Sequence, residues 1–413
     1  MISHNKLPHG WSIHPLRRLL TKENRKPSAG TGVVTAYRDG TVTLRSLRRE
    51  AGYTFSDKEQ GYQGVQIGDL VFHALDGFAG AVGVSDSNGK CSPVYHVCSA
   101  VGKNSTRFIA YTLRAMAFTG FLELQAGTVR QRSVDFRPWE TFARLPIPAP
   151  SLEEQRRIVD FLDAETTRID QLIHLYRRFN KLTAERSQRV LDEAVEQWAG
   201  LQVPLRYIVR FREGPGIMAT DFHPEGVPLI RISGLKQGEV TLNGCNFLDP
   251  DKAARQWSQF RLRMGDRLIS GSATMGEVSV VRDPTVVGSV PYTGLIILRP
   301  AQTDVNMEYM EAFLQSSLFS RQIDVLKTGA TMQHFGPTHL SQVRAPFPSP
   351  DAQRRTAVTA REALHHASNC NKLIKRQVAL LSERRQALIT AAVTGQFDVS
   401  TASGRNVTEG VAV

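Results

Sequence analysis

The chain repeats itself at a pitch of about 200 residues. Tyr37-Arg-Asp-Gly40-Thr-Val-Thr-Leu44 returns as Leu235-Lys-Gln-Gly238-Glu-Val-Thr-Leu242, and Gly68-Asp69-Leu70 returns as Gly265-Asp266-Arg267. Gly127-x-x-x-Gln131 recurs as Gly329-x-x-x-Gln333, and Pro146-x-Pro148-x-Pro150 as Pro346-x-Pro348-x-Pro350. One register relates all four pairs. Solenoid repeats run over roughly 20 to 50 residues, so this pitch means two copies of a whole domain unit rather than an array. A function that needs two similar heads follows.

The segments joining the heads have a different character. Ser151-Leu-Glu-Glu154 has the form of a capping box, with the serine oxygen placed to accept from the third helical amide and two acids favourable to the helix dipole. Ile158, Leu162, Ile169, Leu172, Tyr176, Phe179 and Val190 then recur at helical spacing, and no Pro or Gly interrupts residues 151–198. At 1.5 Å per residue that stretch predicts a helix of roughly 70 Å. A second seam follows Pro350: Leu364, Ala367, Asn371, Ile374, Val378, Leu381, Arg385, Leu388 and Ala392, closed by Gly395. Two seams of matched length point to pairing with each other. Asn371 and Arg385 fall on the second one, where a polar residue lowers stability but fixes register. A parallel pair would bring the heads together and an antiparallel pair would hold them apart; the antiparallel arrangement is the expectation adopted.

Within the heads, short β-branched or alternating runs are divided by turn signals such as Asp39-Gly40 and Asn88-Gly89. Strands are predicted over 32–44, 64–72, 80–85 and 94–100, and again over 228–232, 239–242, 267–270, 277–281 and 294–298. One helix per head is predicted, over 106–117 and 306–323. The fold class expected is α+β, two mixed α/β domains and two long helices in an internal pseudo-twofold repeat. The division is 1–150, 151–198, 199–350 and 351–413.

The net charge of +12 is unevenly spread: +8 over residues 1–150, −2 over 151–198, +2 over 199–350 and +4 beyond. A basic head suits a polyanion, because Lys and Arg contacts to phosphate release condensed counterions. The same surplus can serve solubility alone. The four cysteines form no CxxC pair, which fits a reducing compartment, and Cys91, His96 and Cys98 lack the second ligand pair of a zinc module. No run approaches the roughly 18 apolar residues of a membrane span. A soluble, cytoplasmic protein without a metal or other cofactor is expected.

A search for catalytic arrangements returns little. Gly83 to Lys90 has the look of a phosphate loop, but its glycines are one residue too far apart and Cys91 stands where Ser or Thr should meet magnesium. A hairpin turn at Asn88-Gly89 accounts for it better. There is no GxGxxG, GxSxG or HExxH, and Asp69 and Asp266 read as turn residues before strands. Polar and basic residues do crowd the presumed loops. Thr128, Arg130, Gln131, Arg132 and Ser133 in the first head match Thr331, Gln333 and His334, preceded by Lys327 and Thr328, in the second, and Arg38 matches Lys236 at the repeated turn; Arg231 and Arg255 are further candidates. These types suit DNA readout: Arg forks onto guanine, Gln onto adenine, while Thr and Lys hold phosphates.

Leu145-Pro-Ile-Pro-Ala-Pro-Ser-Leu-Glu-Glu-Gln-Arg-Arg-Ile158, continued by Phe161-Leu-Asp-Ala-Glu-Thr-Thr-Arg-Ile-Asp170, closely resembles the central conserved region of the DNA specificity subunits of type I restriction-modification systems. Leu7-Pro-His-Gly-Trp11 and Arg384-Arg-Gln-Ala-Leu-Ile-Thr-Ala-Ala-Val-Thr-Gly395-Gln-Phe-Asp398 are similar to that family as well. The second junction, Ser349-Pro-Asp-Ala-Gln-Arg-Arg355, lacks the Leu-Glu-Glu. The resemblance implies a non-catalytic, prokaryotic subunit whose heads are target recognition domains, each reading one half of a bipartite, asymmetric site in double-stranded DNA. It implies a spacer made by the paired helices, with Ile158, Leu162, Ile169, Leu172, Leu364, Ile374, Val378 and Leu381 on it. It implies as partners two modification subunits, which supply the methyl-transfer chemistry, and two restriction subunits in the cleaving complex. The alternatives left by the residues are a duplicated metal-dependent nuclease or hydrolase using Asp69 and Asp266, and a coiled-coil scaffold that binds only protein.

Overall fold

The computed structural model describes residues 7–48, 60–125, 128–130, 133–236, 238–272, 276–326 and 334–399. The chain divides into two compact units, Met1–Tyr176 with Lys375–Val413, and Arg177–Ile374. Each unit holds one head and one half of each long helix, because the helices Leu152–Glu196 and Pro350–Val393 both run from one unit into the other.

The first head is built on an antiparallel sheet in the order Leu20–Lys22, Tyr95–Ala100, Leu70–His73, Val82–Val84. Val209–Glu213, Leu295–Pro300, Arg267–Ser270 and Val278–Val280 repeat that order in the second head, where two further short strands extend the sheet. In each unit a strand ahead of the head pairs with the proline run that leaves it: Ser12–Pro15 with Pro146–Ala149, and Gln202–Pro204 with Arg344–Pro346. The proline runs tolerate this because each belongs to a two-stranded ribbon, where a missing amide costs no second ladder. One side of each main sheet packs on the head helix and on the long helices. In the first unit Phe72, Phe108, Leu113 and Phe142 join Ile158, Leu162, Leu388 and Ile389 in one core. In the second, Ile296, Tyr309 and Phe313 join Leu191, Val195, Ala357 and Ala360.

Both long helices pair antiparallel within each unit. Asp170 meets Arg385 at 3.3 Å in the first, and the Asn180 amide donates to Asn371 at 3.1 Å in the second. The polar seam residues Asn371 and Arg385 thus find polar partners on the facing helix. Ile158, Leu162, Ile169 and Ile374 are buried, and Leu364, Val378 and Leu381 half-buried. Leu172 departs from the expectation: it is exposed, and its neighbour Ile173 faces inward instead. A strict three-four stagger drifts around a helix of 3.6 residues per turn, so over a long seam the buried position moves by one residue.

Two further expectations are corrected. The helix expected over 306–323 is two, Met307–Leu314 and Ser317–Leu326, because Ser316 turns its hydroxyl onto the Phe313 carbonyl and breaks the ladder. Asn88-Gly89 is not a hairpin turn; Gly89–Cys91 pairs with Gln63–Val65. Gly83 and Gly89 have a packing role, since a Cβ on them would lie 2.1 Å from the Gly40 carbonyl and 2.6 Å from the Gly32 carbonyl. Backbone packing, not a phosphate loop, is what these two glycines serve. Among the described residues no helix is long and apolar enough to cross a membrane.

Candidate nucleic-acid interface

The repeated Gly-Asp is where the two heads coincide most closely. The Asp69 carboxylate accepts from the Gln66 amide at 2.7 Å, and the Asp266 carboxylate from the Arg263 amide at 2.7 Å, each closing the turn in front of a strand. Each is then gripped by an arginine fork. Arg25 reaches Asp69 at 2.5 and 2.9 Å, and Arg299 reaches Asp266 at 2.8 and 2.6 Å. Arg25 follows the first strand of its sheet while Arg299 lies in the second, so the same charge is neutralised from non-equivalent positions. The hydrogen bonds raise both guanidinium pKa values further above their ordinary value. Two buried carboxylates committed in this way are structural, not metal ligands or bases.

The polar loops return to one place in each head. Phe136 donates its amide to the Ala74 carbonyl at 3.0 Å, and Phe335 donates to Gly271 at 2.9 Å, so each loop is tied down just beyond the strand of the Gly-Asp turn. A Cβ on Gly271 would sit 2.2 Å from the Phe335 carbonyl, which makes glycine obligatory at that anchor. In the first head Thr128 and Arg130 lie in a strand, Thr128–Arg130, paired with Ser133–Val134. Gln131 and Arg132, like Lys327, Thr331 and Gln333 of the second head, lie outside the described residues. His334 is exposed, one residue before the Phe335 anchor.

Beside that second anchor lies an open cleft of about 530 Å³, lined by Arg231, Ser233, Ser272, Tyr292 and Thr293 among others. Arg231 is held in it from two sides: its guanidinium lies over the Tyr292 ring at 4.6 Å and donates to Asn246 at 2.8 Å. The stack keeps the fork rigid and leaves donor capacity for a ligand. Arg38 is exposed on the first head's hairpin, paired with Asp76 at 2.9 Å, two residues past the Ala74 anchor. Lys236 and Arg255 are exposed too, Lys236 at the Gly238 turn and Arg255 on the short helix Pro250–Gln256, but neither lines the Arg231 cleft. The structure therefore brings Arg231 and His334 toward one edge of the second head, and Arg38 and the Thr128–Arg130 strand toward the matching edge of the first.

Sequence reasoning missed Tyr292, Asn246 and Ser272. Tyr292 had no repeated signal, since Ser92 stands in its place in the first head. Asn246 had none either. In the first head His96 is buried, stacks on Phe142 at 4.9 Å and donates to the Phe136 carbonyl at 2.7 Å, and burial lowers its pKa. Burial also pushes the Cys91 thiol up to about 12. Neither group offers itself to a ligand.

No protein-family profile matches the chain, and no curated relative does. Solved structures do match. A chain of a type I R-M system, from work on that system's complex assembly and conformational transition, superposes with a TM-score of 0.73 at 19 % identity, covering 95 % of this chain and all of that one. The HsdS subunit from Thermoanaerobacter tengcongensis superposes with a TM-score of 0.54 at 20 % identity, covering 95 % of this chain and 98 % of its own. The chain has the fold of these proteins from end to end.

Proposed function

We propose that the protein is the DNA specificity subunit of a type I restriction-modification complex, itself non-catalytic, with each head reading one half of a bipartite, asymmetric site. What carries the reading is the full-length match in fold to type I structures together with the way the two heads differ. Their frames coincide, down to the Gly-Asp turns and the Phe136 and Phe335 anchors, while the basic residues beside the anchors do not. A duplicated frame with divergent edges is what two readers of two different half-sites require. The residues assigned to reading are Arg38, Thr128, Arg130, Gln131 and Arg132 in the first head, and Arg231, Lys236, Arg255, Lys327, Thr331, Gln333 and His334 in the second.

The long helices set the spacing between half-sites and dock the modification subunits. Leu172, Leu175, Phe179 and Leu182 support the docking role: they are 39, 56, 57 and 53 % exposed and recur at three-four-three spacing, a second apolar stripe on the first long helix besides its buried seam. Large apolar side chains aligned in this way fit an amphipathic helix of a partner.

The experiment is an exchange. Residues 7–150 are replaced by the equivalent head of another such protein, and methylated adenines are mapped in cells carrying the modification subunit. One half-site changes while the other half and the spacing stay. A change in both halves, or in neither, sinks the two-reader assignment.

A further inference from the structure

In the first unit a cleft of about 630 Å³ opens between the Asp39–Thr41 turn, the head helix Thr106–Phe118 and both long helices. Arg114 of the head helix lies in its wall and is 5 % exposed. Its Nε and Nη2 have no hydrogen-bond partner among the described residues; of the charged groups acting on it, the cation Arg385 opposes it most, and Asp39 and Asp170 favour it from a distance. The other charges in the cleft are matched. Asp163 is paired with Arg107 at 3.3 Å and accepts from the Tyr111 hydroxyl at 2.8 Å, Asp39 is gripped by Arg48, and Arg385 meets Asp170 at 3.3 Å in a geometry that leaves its Nε without a hydrogen bond. Asp86 is exposed at the mouth. One buried positive charge is left over, and an unpaired buried charge is expensive.

The second unit builds the same junction without an arginine pair, and its charged group there, Asp192, accepts from Gln188 at 3.1 Å and from Ser317 at 2.8 and 2.7 Å. Ser105 and Asn306 cap the two head helices, and each donates its amide to a buried glutamine of a long helix, Gln155 at 3.0 Å and Gln353 at 2.9 Å, which fixes the register between the units. In that register Gln315 stands where Arg114 stands, and Ser187, the neighbour of Gln188, stands where Arg385 stands. The Gln188 amide donates straight to the Gln315 carbonyl at 3.1 Å and closes the gap. The repeated glycine differs in step: a Cβ on Gly40 would lie 2.3 Å from the Arg114 guanidinium carbon, whereas Gly238 meets nothing within 4 Å.

We propose that this cleft binds one small free oxyanion of the phosphate class, held by Arg114 and Arg385, which fastens the first head to the long helices as the Gln188–Gln315 hydrogen bond fastens the second. The threonines Thr106, Thr166 and Thr167 add hydroxyls to the lining, the complement a phosphate takes besides guanidinium. Duplex DNA is a poor occupant, because Asp39, Asp86 and Asp163 line the same cleft and repel a polyanion while a single compact anion passes between them. The inference does not depend on the DNA-reading role, since binding is measured without DNA.

The test is calorimetric titration of the full chain with inorganic phosphate at fixed ionic strength. One site per chain is expected in the wild type, and at least tenfold weaker binding in Arg114→Gln/Arg385→Ser, which places the second unit's residues at both positions and should keep or raise the melting temperature in phosphate-free buffer. Arg18→Gln, an exposed arginine elsewhere on the first head, should bind as the wild type does. Should the double variant fail to fold, Arg114→Lys serves, with weakened binding at an unchanged far-ultraviolet spectrum. Equal binding by wild type and variants, no binding by the wild type, or an effect that appears only with duplex DNA would each overturn the proposal.

Discussion

The two units share a frame and differ in what they commit to it. Both close a turn with a buried aspartate and an arginine fork, both seat a long-helix glutamine on the amide that starts the head helix, and both anchor a loop through a phenylalanine amide. The second unit adds strands: Phe222–His223, Asn246–Leu248, Val227–Ile230 and Val290–Pro291 form a sheet with its own core around Trp257. The first has two-stranded ribbons there and carries its excess of positive charge instead. A frame under geometric constraint has been kept by both copies, while edges and junctions have gone separate ways. That is the pattern expected when relative placement must be shared and recognition must not.

The largest test of the shared frame is to remove its buried carboxylates. Asp69→Ala and Asp266→Ala each leave a partly buried guanidinium and an open turn amide, a loss of about 3 kcal/mol. Urea denaturation should show a similar loss for both although the arginines come from non-equivalent positions. If either variant were as stable as the parent while losing a metal-dependent cleavage activity, the structural assignment would be wrong and the hydrolase alternative would return.

A smaller effect sharpens the difference. Arg231→Ala should weaken binding of the assembled methyltransferase complex by about 1–3 kcal/mol and relax discrimination in one half-site only. Binding measured on duplexes with each half-site altered in turn would check it. Equal loss at both halves would reduce Arg231 to a general phosphate contact.

The smallest concerns pH. Burial works against ionisation of Asp39, yet the Arg48 fork and the Thr41 amide hold its pKa down at about 2, below the ordinary 3.8. A depressed carboxylate stabilises the fold above its unfolded pKa, and that contribution fades as pH falls from about 4 through 2. Since the carboxylate is nearly half exposed, screening limits it to about 0.5 kcal/mol. Asp39→Asn should flatten the acid limb of the stability curve slightly; the counterpart Gln237→Asn in the second head should leave it unchanged.

Much of the architecture was legible because it is periodic. The repeat register, the capping serine and the absence of helix breakers announced two copies and two long helices, and Ser151 does accept from the Glu154 amide at 3.3 Å. Glu154, expected to reach back in the capping box, accepts from the Trp11 indole at 3.1 Å instead, a partner 143 residues away that no local pattern could supply. The seam slipped by one residue at Leu172 for a similar reason: which of two adjacent apolar residues is buried depends on the facing helix. Of the residues expected to read DNA, Arg231 gained a defined setting, and that setting came from Tyr292 and Asn246, which meet it only through strand pairing.

Local composition and spacing alone fixed the duplication, the helices and the turns, because those depend on interactions within a few residues and on a pattern printed twice. Which charges are satisfied was decided only by the tertiary structure. Arg114 and Arg385 are ordinary basic residues in the sequence, 271 positions apart, and become an unbalanced pair in one cleft because the head helix and the returning long helix are packed together there, away from the water that would otherwise screen them.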